Sequence, residues 1–210
     1  MTTAAFAPLT GPIGFYAVVP SADWVPRLLG WGVRTIQLRI KAADHTPDEI
    51  ARHVRAAVDA GRAVPGAQLF INDHWQLAFE AGAYGVHLGQ EDLDTADTEA
   101  LRRAGMRLGL STHTPAELAR AHAVQPSYLA IGPIYPTTLK VMPYVPVGLE
   151  RLKAWALRAA PYPVVAIGGI SLERMPGVMA CGVHGVAVVS AVTLAADPHQ
   201  AVMQGLALAA

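Results

Sequence analysis

Short apolar runs alternate with segments of helical periodicity along the whole of this chain. The runs rich in Val, Ile and Leu predict eight strands, and the helical segments separate them. Eight strand-then-helix units in 210 residues favour one α/β domain, a (β/α)8 TIM barrel over residues 1–210 in which residues 1–13 form a short lead-in. The strands are expected near residues 15–19, 35–39, 68–71, 85–88, 107–110, 128–131, 164–167 and 185–189.

The alternative architecture is an open, doubly wound parallel sheet. Such a sheet usually carries a glycine-rich phosphate loop, G-x-G-x-x-G, directly after its first strand. Here the first predicted strand is followed by the sequence Pro-Ser-Ala-Asp, so the loop is missing and the barrel is favoured. Two helix starts are also explicit. Thr46 and Thr114 each precede a proline and stand three residues before a glutamate, which predicts a capping box at both.

The balance of charge limits the partners that the chain can bind. Sixteen Lys and Arg residues against sixteen Asp and Glu residues argue against a broad surface for nucleic acid or an anionic membrane. No apolar run approaches the ~18 residues that would span a bilayer, and the N-terminus lacks the basic start of a signal peptide. Cys181 is the only cysteine, which excludes an internal disulfide. We expect a cytoplasmic protein that binds small molecules, and whether it forms a homodimer is open.

In a (β/α)8 barrel the active site lies at the carboxyl ends of the strands. The second strand leads into Gln37, Arg39 and Lys41, with apolar residues between them. The strand period of two places these three polar side chains on one face. They could form the solvated face of an edge strand, but a barrel strand has no such face, so we interpret them as a cradle for an anion.

Two carboxylates follow neighbouring strands. Asp73 comes after the third strand and Asp92 after the fourth, where they could share one Mg²⁺ ion that completes its shell with water and substrate phosphate. Asp73 could instead cap the next helix, because Gln76 stands three residues later. Asp92 has less reason to be a cap, since Asp94 and Thr95 are better placed. A cationic cradle beside a carboxylate pair is what a Mg²⁺-diphosphate requires.

Three later segments complete the predicted active site at the carboxyl ends of the strands. Ser111 ends the fifth strand with a free hydroxyl, and a long proline-rich loop containing Lys140 follows the sixth, which is typical of a lid or a binding loop, with disorder as the alternative. The turns after strands seven and eight, at Gly168-Gly169 and Ser190, form either a phosphate site or simple tight turns. G-x-S-x-G, H-E-x-x-H, Walker A and C-x-x-C are all missing. The scattered histidines are expected to be structural or surface residues.

Seven sequence segments, in this order, closely resemble the thiamine phosphate synthase family. The resemblance runs from about Phe15 to Val192, and that family folds as a (β/α)8 barrel. It implies a transferase that couples hydroxymethylpyrimidine diphosphate to hydroxyethylthiazole phosphate with Mg²⁺, giving thiamine phosphate and pyrophosphate. The segments are Q-L-R-I-K, I-N-D, G-V-H-L-G-Q-E-D-L, G-x-S-T-H-T, G-P-I-Y-P-T, P-V-V-A-I-G-G-I and G-V-A-V-V-S.

The same resemblance implies roles for individual residues. Asp73 and Asp92 would bind Mg²⁺, while Arg39, Ser111 and Lys140 would act on the reacting diphosphate. Substrate contacts fall on these three residues and on Gln37, Leu38, Ile40, Lys41, Asn72, Thr137, Thr138, Leu139, Gly169, Val189 and Ser190.

One position departs from the family pattern. The usual lid sequence P-T-x-T-K is Pro136-Thr-Thr-Leu-Lys140 here, so Leu139 replaces a hydroxyl and thiazole-phosphate affinity is in question. Two alternatives stay open at this point: a thiazole tautomerase-like relative, which would have no use for the Asp73 and Asp92 pair, and a non-catalytic sensor of thiazole or pyrimidine phosphates.

Overall fold

A computed structural model describes residues 4–137 and 144–210. Eight parallel strands pair in sequence order, and the last closes against the first to form a single barrel. This confirms the predicted fold. The strands are β1 (Gly14–Val19), β2 (Thr35–Leu38), β3 (Gln68–Asn72), β4 (Gly85–Leu88), β5 (Arg107–Thr112), β6 (Tyr128–Ile131), β7 (Val164–Ile167) and β8 (Gly185–Val188).

Helices surround the barrel and connect its strands. Single turns of 3₁₀ helix at Ala42–Asp44 and Leu172–Arg174 precede the second and eighth of them. The α-helices are α1 (Trp24–Gly30), α2 (Pro47–Arg62), α3 (Trp75–Ala81), α4 (Gln90–Thr95), α5 (Thr98–Arg103), α6 (Pro115–Val124), α7 (Gly148–Arg158), α8 (Met175–Met179), α9 (Ser190–Thr193) and α10 (Pro198–Leu208). In the described residues, no helix is long and apolar enough to cross a membrane.

Both predicted helix starts exist, but only one is a complete capping box. The Thr46 hydroxyl accepts from Glu49 N and the Glu49 carboxylate accepts from Thr46 N, at 3.3 and 2.8 Å. Thr114 accepts from Glu117 N at 3.2 Å. The Glu117 carboxylate turns instead to the backbone N of His113, at 2.8 Å, because the neighbouring imidazole gives it a second partner there.

The alternation of side chains along each strand produces two apolar layers. Outward residues such as Phe15 and Val19 pack with the helices in the larger core. Inward residues, among them Tyr16, Phe70 and Tyr128, fill the barrel itself. The interior of such barrels is usually packed with branched aliphatic side chains, so these three aromatic rings are unusual.

The lead-in lies across the amino-terminal end of the barrel, which we call the floor. Phe6 N donates to Gln125 O at 3.0 Å, and the Ser127 hydroxyl donates to Ala7 O at 2.6 Å. The Arg107 guanidinium donates to Pro8 O at 3.2 Å. These bonds hold the first described residues under the strands, so the opposite end of the barrel is the open one.

Candidate functional site

A cavity opens at the carboxyl ends of the strands, which we call the mouth. It contains about 1030 Å³ of space, part of it open to solvent. The structure brings most of the predicted site residues together around it, from β2 to β8. Those that line the cavity are Gln37, Arg39, Asn72, Asp73, Asp92, Ser111, Thr137, Gly169, Val189 and Ser190.

The remaining predicted residues do not line the cavity or cannot be placed. Leu38 and Ile40 are buried in the outer core, so only their main-chain atoms could reach a ligand. Lys41 is exposed beyond the end of β2, at the start of the 3₁₀ turn, and is not among the lining residues. Thr138, Leu139 and Lys140 lie outside the described residues. Roles for all six stay predictions.

Asp73 has an unusual backbone. Its φ is +60°, in the left-handed region that a non-glycine residue rarely adopts. Asp73 N donates to His87 O at 3.1 Å, which ties the end of β3 to β4. The residue at the N-cap position of α3 is His74, one residue later than the alternative expected for Asp73. A strained conformation that holds a carboxylate at a cavity is typical of functional positions.

Asp92 lies in the first turn of α4, and its carboxylate accepts from Gly89 N at 3.2 Å. The expectation that Asp94 or Thr95 would cap the following helix is wrong, because the Asp97 carboxylate accepts from Ala100 N and caps α5. Asp92 therefore helps to order its own turn as well as facing the cavity.

The donor set at the mouth suits Mg²⁺. In the described part of the chain, no three His, Cys, Asp or Glu side chains are grouped so that they alone could hold a metal. Mg²⁺ needs fewer protein ligands than that, because it keeps several waters and is commonly bound by one or two carboxylates together with substrate phosphates. Asp73 and Asp92 supply carboxylate oxygens to one cavity, and these fit such an ion.

The opposite side of the cavity is formed by main chain. Gly168 and Gly169 have φ of +100° and +65°, which side chains disfavour. A Cβ on Gly169 would lie 2.8 Å from Tyr135 O, so the close approach of this turn to the loop after β6 requires glycine. Gly169 O accepts from the Arg174 guanidinium at 2.7 Å. The turn is therefore tied to Arg174, and it lines the same cavity as Ser190, the first residue of α9.

A buried chain of hydrogen bonds lies beneath the cavity. The Tyr16 and Tyr128 hydroxyls are 2.8 Å apart, and Gln37 Nε2 donates to the Tyr16 hydroxyl at 3.2 Å. His87 Nδ1 lies 2.7 Å from the Tyr128 hydroxyl, and His87 Nε2 lies 2.8 Å from Ser111 Oγ. Burial raises the pKa of Tyr16 and of Tyr128, so both hydroxyls stay protonated.

These hydrogen bonds do not follow from the expectation that the histidines are scattered structural or surface residues. The sequence feature that predicts the position of His87 is the strand period of two, which points alternate side chains to opposite faces. Val86 and Leu88 pack outward in the core, so His87 between them must point into the barrel. The same alternation places Tyr16 and Tyr128 inward.

Comparison with known proteins agrees with this site. The family model for thiamine monophosphate synthase matches residues 15–192, which include all the elements that line the cavity. The chain belongs to this family.

Individual family members are similar over almost their whole length. The thiamine-phosphate synthase of Neisseria meningitidis serogroup A is 55% identical over 94% of this chain and 95% of its own. That of Klebsiella pneumoniae is 55% identical over 97% of this chain and 95% of its own. The solved thiamine phosphate pyrophosphorylase of Pyrococcus furiosus covers 94% of this chain and 95% of its own, at 29% identity and a TM-score of 0.80.

One further contact, between His113 and Tyr144, lies at the border of the cavity. The His113 imidazole stacks on Tyr144 with ring centroids 4.3 Å apart, and its Nδ1 lies 2.8 Å from the Glu117 carboxylate. Burial, followed by the negative charge of Glu117, raises the pKa of Tyr144. His113 thus holds Tyr144, the first described residue after position 137, and this contact agrees with a structural role for His113.

Proposed function

We propose that this chain couples hydroxymethylpyrimidine diphosphate to hydroxyethylthiazole phosphate, producing thiamine phosphate and pyrophosphate. The observation that carries the proposal is a single cavity where a guanidinium, two carboxylates and a glycine turn meet, in a chain about 55% identical to thiamine-phosphate synthases. Its substrates are small molecules. A cytoplasmic location and a homodimer stay predictions.

The cavity divides into two binding regions. Gln37, Arg39 and Asn72, at the ends of β2 and β3, hold the pyrimidine diphosphate, with the guanidinium donating to phosphate oxygens. Gly169, Val189 and Ser190, at the ends of β7 and β8, hold the thiazole phosphate, where glycine lets main-chain N–H groups approach the anion.

Asp73 and Asp92 would hold Mg²⁺ on the diphosphate side. When bound, the ion would neutralise charge on the departing diphosphate. Arg39 shares this task as a cationic donor that lines the cavity, and Lys140 is expected to join it from the loop after β6. The protein thereby stabilises the leaving group rather than activating a nucleophile.

The reaction needs little acid–base catalysis. The bond between the pyrimidine methylene carbon and the diphosphate oxygen breaks first, and its electron pair leaves with the diphosphate. The electron-rich aminopyrimidine stabilises the resulting cation, and the thiazole nitrogen forms the new carbon–nitrogen bond with its own lone pair. Because no proton leaves that nitrogen, the chain's contribution is positioning and the exclusion of water.

The alternatives raised by the sequence are not supported. The similar proteins are named thiamine-phosphate synthase, which speaks against both a tautomerase and a non-catalytic sensor.

The test is to incubate the protein with both substrates and Mg²⁺ and to measure thiamine phosphate and pyrophosphate in equal amounts. Reactions that lack the thiazole phosphate or Mg²⁺ serve as controls. Absence of thiamine phosphate in the complete mixture would refute the function, and full turnover in metal-free buffer would refute the role of Mg²⁺.

A further inference from the structure

The buried chain of hydrogen bonds connects opposite sides of the barrel interior. It begins at Gln37 on β2 and passes through Tyr16 on β1 and Tyr128 on β6. It continues through His87 on β4 to Ser111 on β5. Both end residues line the cavity, and so does His87, so this hydrogen-bond chain reaches the proposed substrate at its two ends and at the imidazole.

The donor and the acceptor of each bond in this hydrogen-bond chain can be assigned in turn, starting at Gln37. If the order begins with Gln37 Nε2 as the donor to Tyr16 and each hydroxyl passes its proton onward, the Tyr16 proton goes to the Tyr128 oxygen. The Tyr128 proton then points to His87 Nδ1. A neutral imidazole carries one N–H, which in this order is on Nε2 and donates to Ser111 Oγ.

We propose that Tyr16, Tyr128 and His87 form a one-way relay that fixes His87 as the Nε2–H tautomer and turns the Ser111 hydroxyl proton into the cavity. This inference rests on the proposed function, because it assigns that proton to the pyrimidine diphosphate. Tyr16, Tyr128 and His87 are positioning residues, and Ser111 is the group that touches substrate.

Packing of the aromatic rings keeps the relay in place. Tyr128 packs edge-on against Tyr16 and Phe70, with ring centroids 6.0 and 5.0 Å away. The ring of Tyr128 occupies space that any side chain at Gly109, its partner on β5, would fill. The hydroxyl therefore cannot swing away without disturbing the barrel, and a buried hydroxyl without a partner is costly.

The main chain of Ser111 is fixed as well. Gln90 Nε2 donates to Ser111 O at 2.7 Å, and Gln90 is itself contacted by the Arg120 guanidinium at 3.3 Å. With its carbonyl held and one Oγ lone pair taken by His87, Ser111 has its proton left as the donor for a ligand. Fixing a donor before the substrate arrives reduces the reorganisation needed in the transition state.

The first test reads the tautomer directly. Nitrogen-15 NMR of histidine-labelled protein without substrate, with His87→Asn used to assign the signal, should show His87 protonated on Nε2 at pH 7. An Nδ1–H or doubly protonated imidazole would overturn the relay, because His87 Nδ1–H would then donate to the Tyr128 oxygen and Tyr128 could not donate to His87. This measurement does not depend on activity.

The second test is a double-mutant cycle. Tyr128→Phe should lower kcat/KM for the pyrimidine diphosphate about tenfold, since Ser111 loses its orientation. In a Ser111→Ala background, Tyr128→Phe should lower it further by less than about twofold. An undiminished tenfold effect in that background would show that Tyr128 does not act through Ser111 and would overturn the proposal.

Tyr84→Phe is the matched control. Its hydroxyl donates to Gln68 at 2.8 Å near the floor, and its ring also packs on Phe70. It should leave kcat/KM unchanged. A wild-type protein with the Nε2–H tautomer but no thiamine phosphate synthesis would refute the proposed function while leaving the tautomer assignment intact.

Discussion

Two buried glutamines on neighbouring strands show how differently the ends of the barrel use the same side chain. Gln68, at the floor, donates to Pro12 O and Thr35 Oγ1 and accepts from Gly11 N and the Tyr84 hydroxyl, at 2.8–3.3 Å. These four bonds use its full capacity. Gln37, towards the mouth, donates to Tyr16 and lines the cavity.

The difference lies in what the polar groups face. At the floor the lead-in supplies protein partners, so Gln68 stabilises the fold. At the mouth, polar side chains surround an open cavity, and their remaining hydrogen-bonding capacity is directed at a ligand. Buried polar groups must be paired, so a substrate that displaces water from the mouth has to replace the hydrogen bonds of that water.

The largest expected effect is a loss of activity on substitution of the two carboxylates at the mouth. Asp73→Asn and Asp92→Asn remove the carboxylate charge with little change in shape, and Asn tolerates the positive φ at position 73. Each should lower kcat/KM at limiting Mg²⁺ roughly 10²- to 10³-fold, because the diphosphate loses part of its electrostatic stabilisation. Steady-state kinetics over a Mg²⁺ titration measures this.

Asp59→Asn is the control for both carboxylate variants. Asp59 is exposed on α2 and is not among the residues that line the cavity. It should retain wild-type turnover and Mg²⁺ dependence. If Asp73→Asn or Asp92→Asn behaved like Asp59→Asn, that residue would not be a metal ligand.

The next effect concerns Lys140. Lys140→Ala should lower kcat on the order of 10²-fold with a smaller change in KM, because an ammonium near the leaving diphosphate helps most as its charge develops. Initial rates at saturating and limiting pyrimidine diphosphate separate the two constants. A defect confined to KM would mean that Lys140 only captures substrate.

Replacing Gln68 and Gln37 in turn by alanine tests the difference between the floor and the mouth directly. Gln68→Ala leaves buried partners unpaired and should cost about 3 kcal/mol of unfolding free energy, with kcat/KM at 25 °C unchanged. At about 2–4 °C per kcal/mol, that is a fall in Tm of roughly 6–12 °C. Gln37→Ala should do the reverse, with a large loss of kcat/KM and a smaller fall in Tm. Equal patterns in the two variants would remove the distinction between floor and mouth.

The sequence predicts the barrel well because the fold depends on local periodicity. The strands fall within one or two residues of the expected bounds; β5 continues to Thr112 and β3 includes Asn72. Site residues at strand ends follow from the same rule, which explains why Arg39 and Asp92 meet at one cavity.

Periodicity cannot predict which side chain on a distant strand will be the hydrogen-bond partner of a given residue. Tyr16 and Tyr128 are 112 positions apart, and their hydroxyls meet only because β1 and β6 enclose one interior. The backbone of Asp73 is similar, since this residue of positive φ donates its N–H to His87 O on β4. Both features require the closed barrel.

The smallest expected effect is at Leu139, where the family pattern has a hydroxyl. If the loop keeps the family register, the thiazole phosphate lacks one hydrogen bond to a charged group, worth at most about 1.5–3 kcal/mol and less where water substitutes. Leu139→Thr should then tighten thiazole-phosphate binding by at most about 10- to 150-fold, and by less where water substitutes. Isothermal titration of thiazole phosphate into the wild type and this variant measures the difference.

A competing arrangement has the Thr138 hydroxyl take the vacant place while the Leu139 side chain packs under the loop. In that case Leu139→Thr would loosen the loop and gain no affinity, and Thr138→Ala would lose it. The two variants therefore move in opposite senses under the two arrangements. We expect the missing contact: a gain from Leu139→Thr and little loss from Thr138→Ala. The reverse pattern would mean that the mouth had already compensated for Leu139 with the neighbouring hydroxyl, as the floor does by pairing its polar groups within the protein.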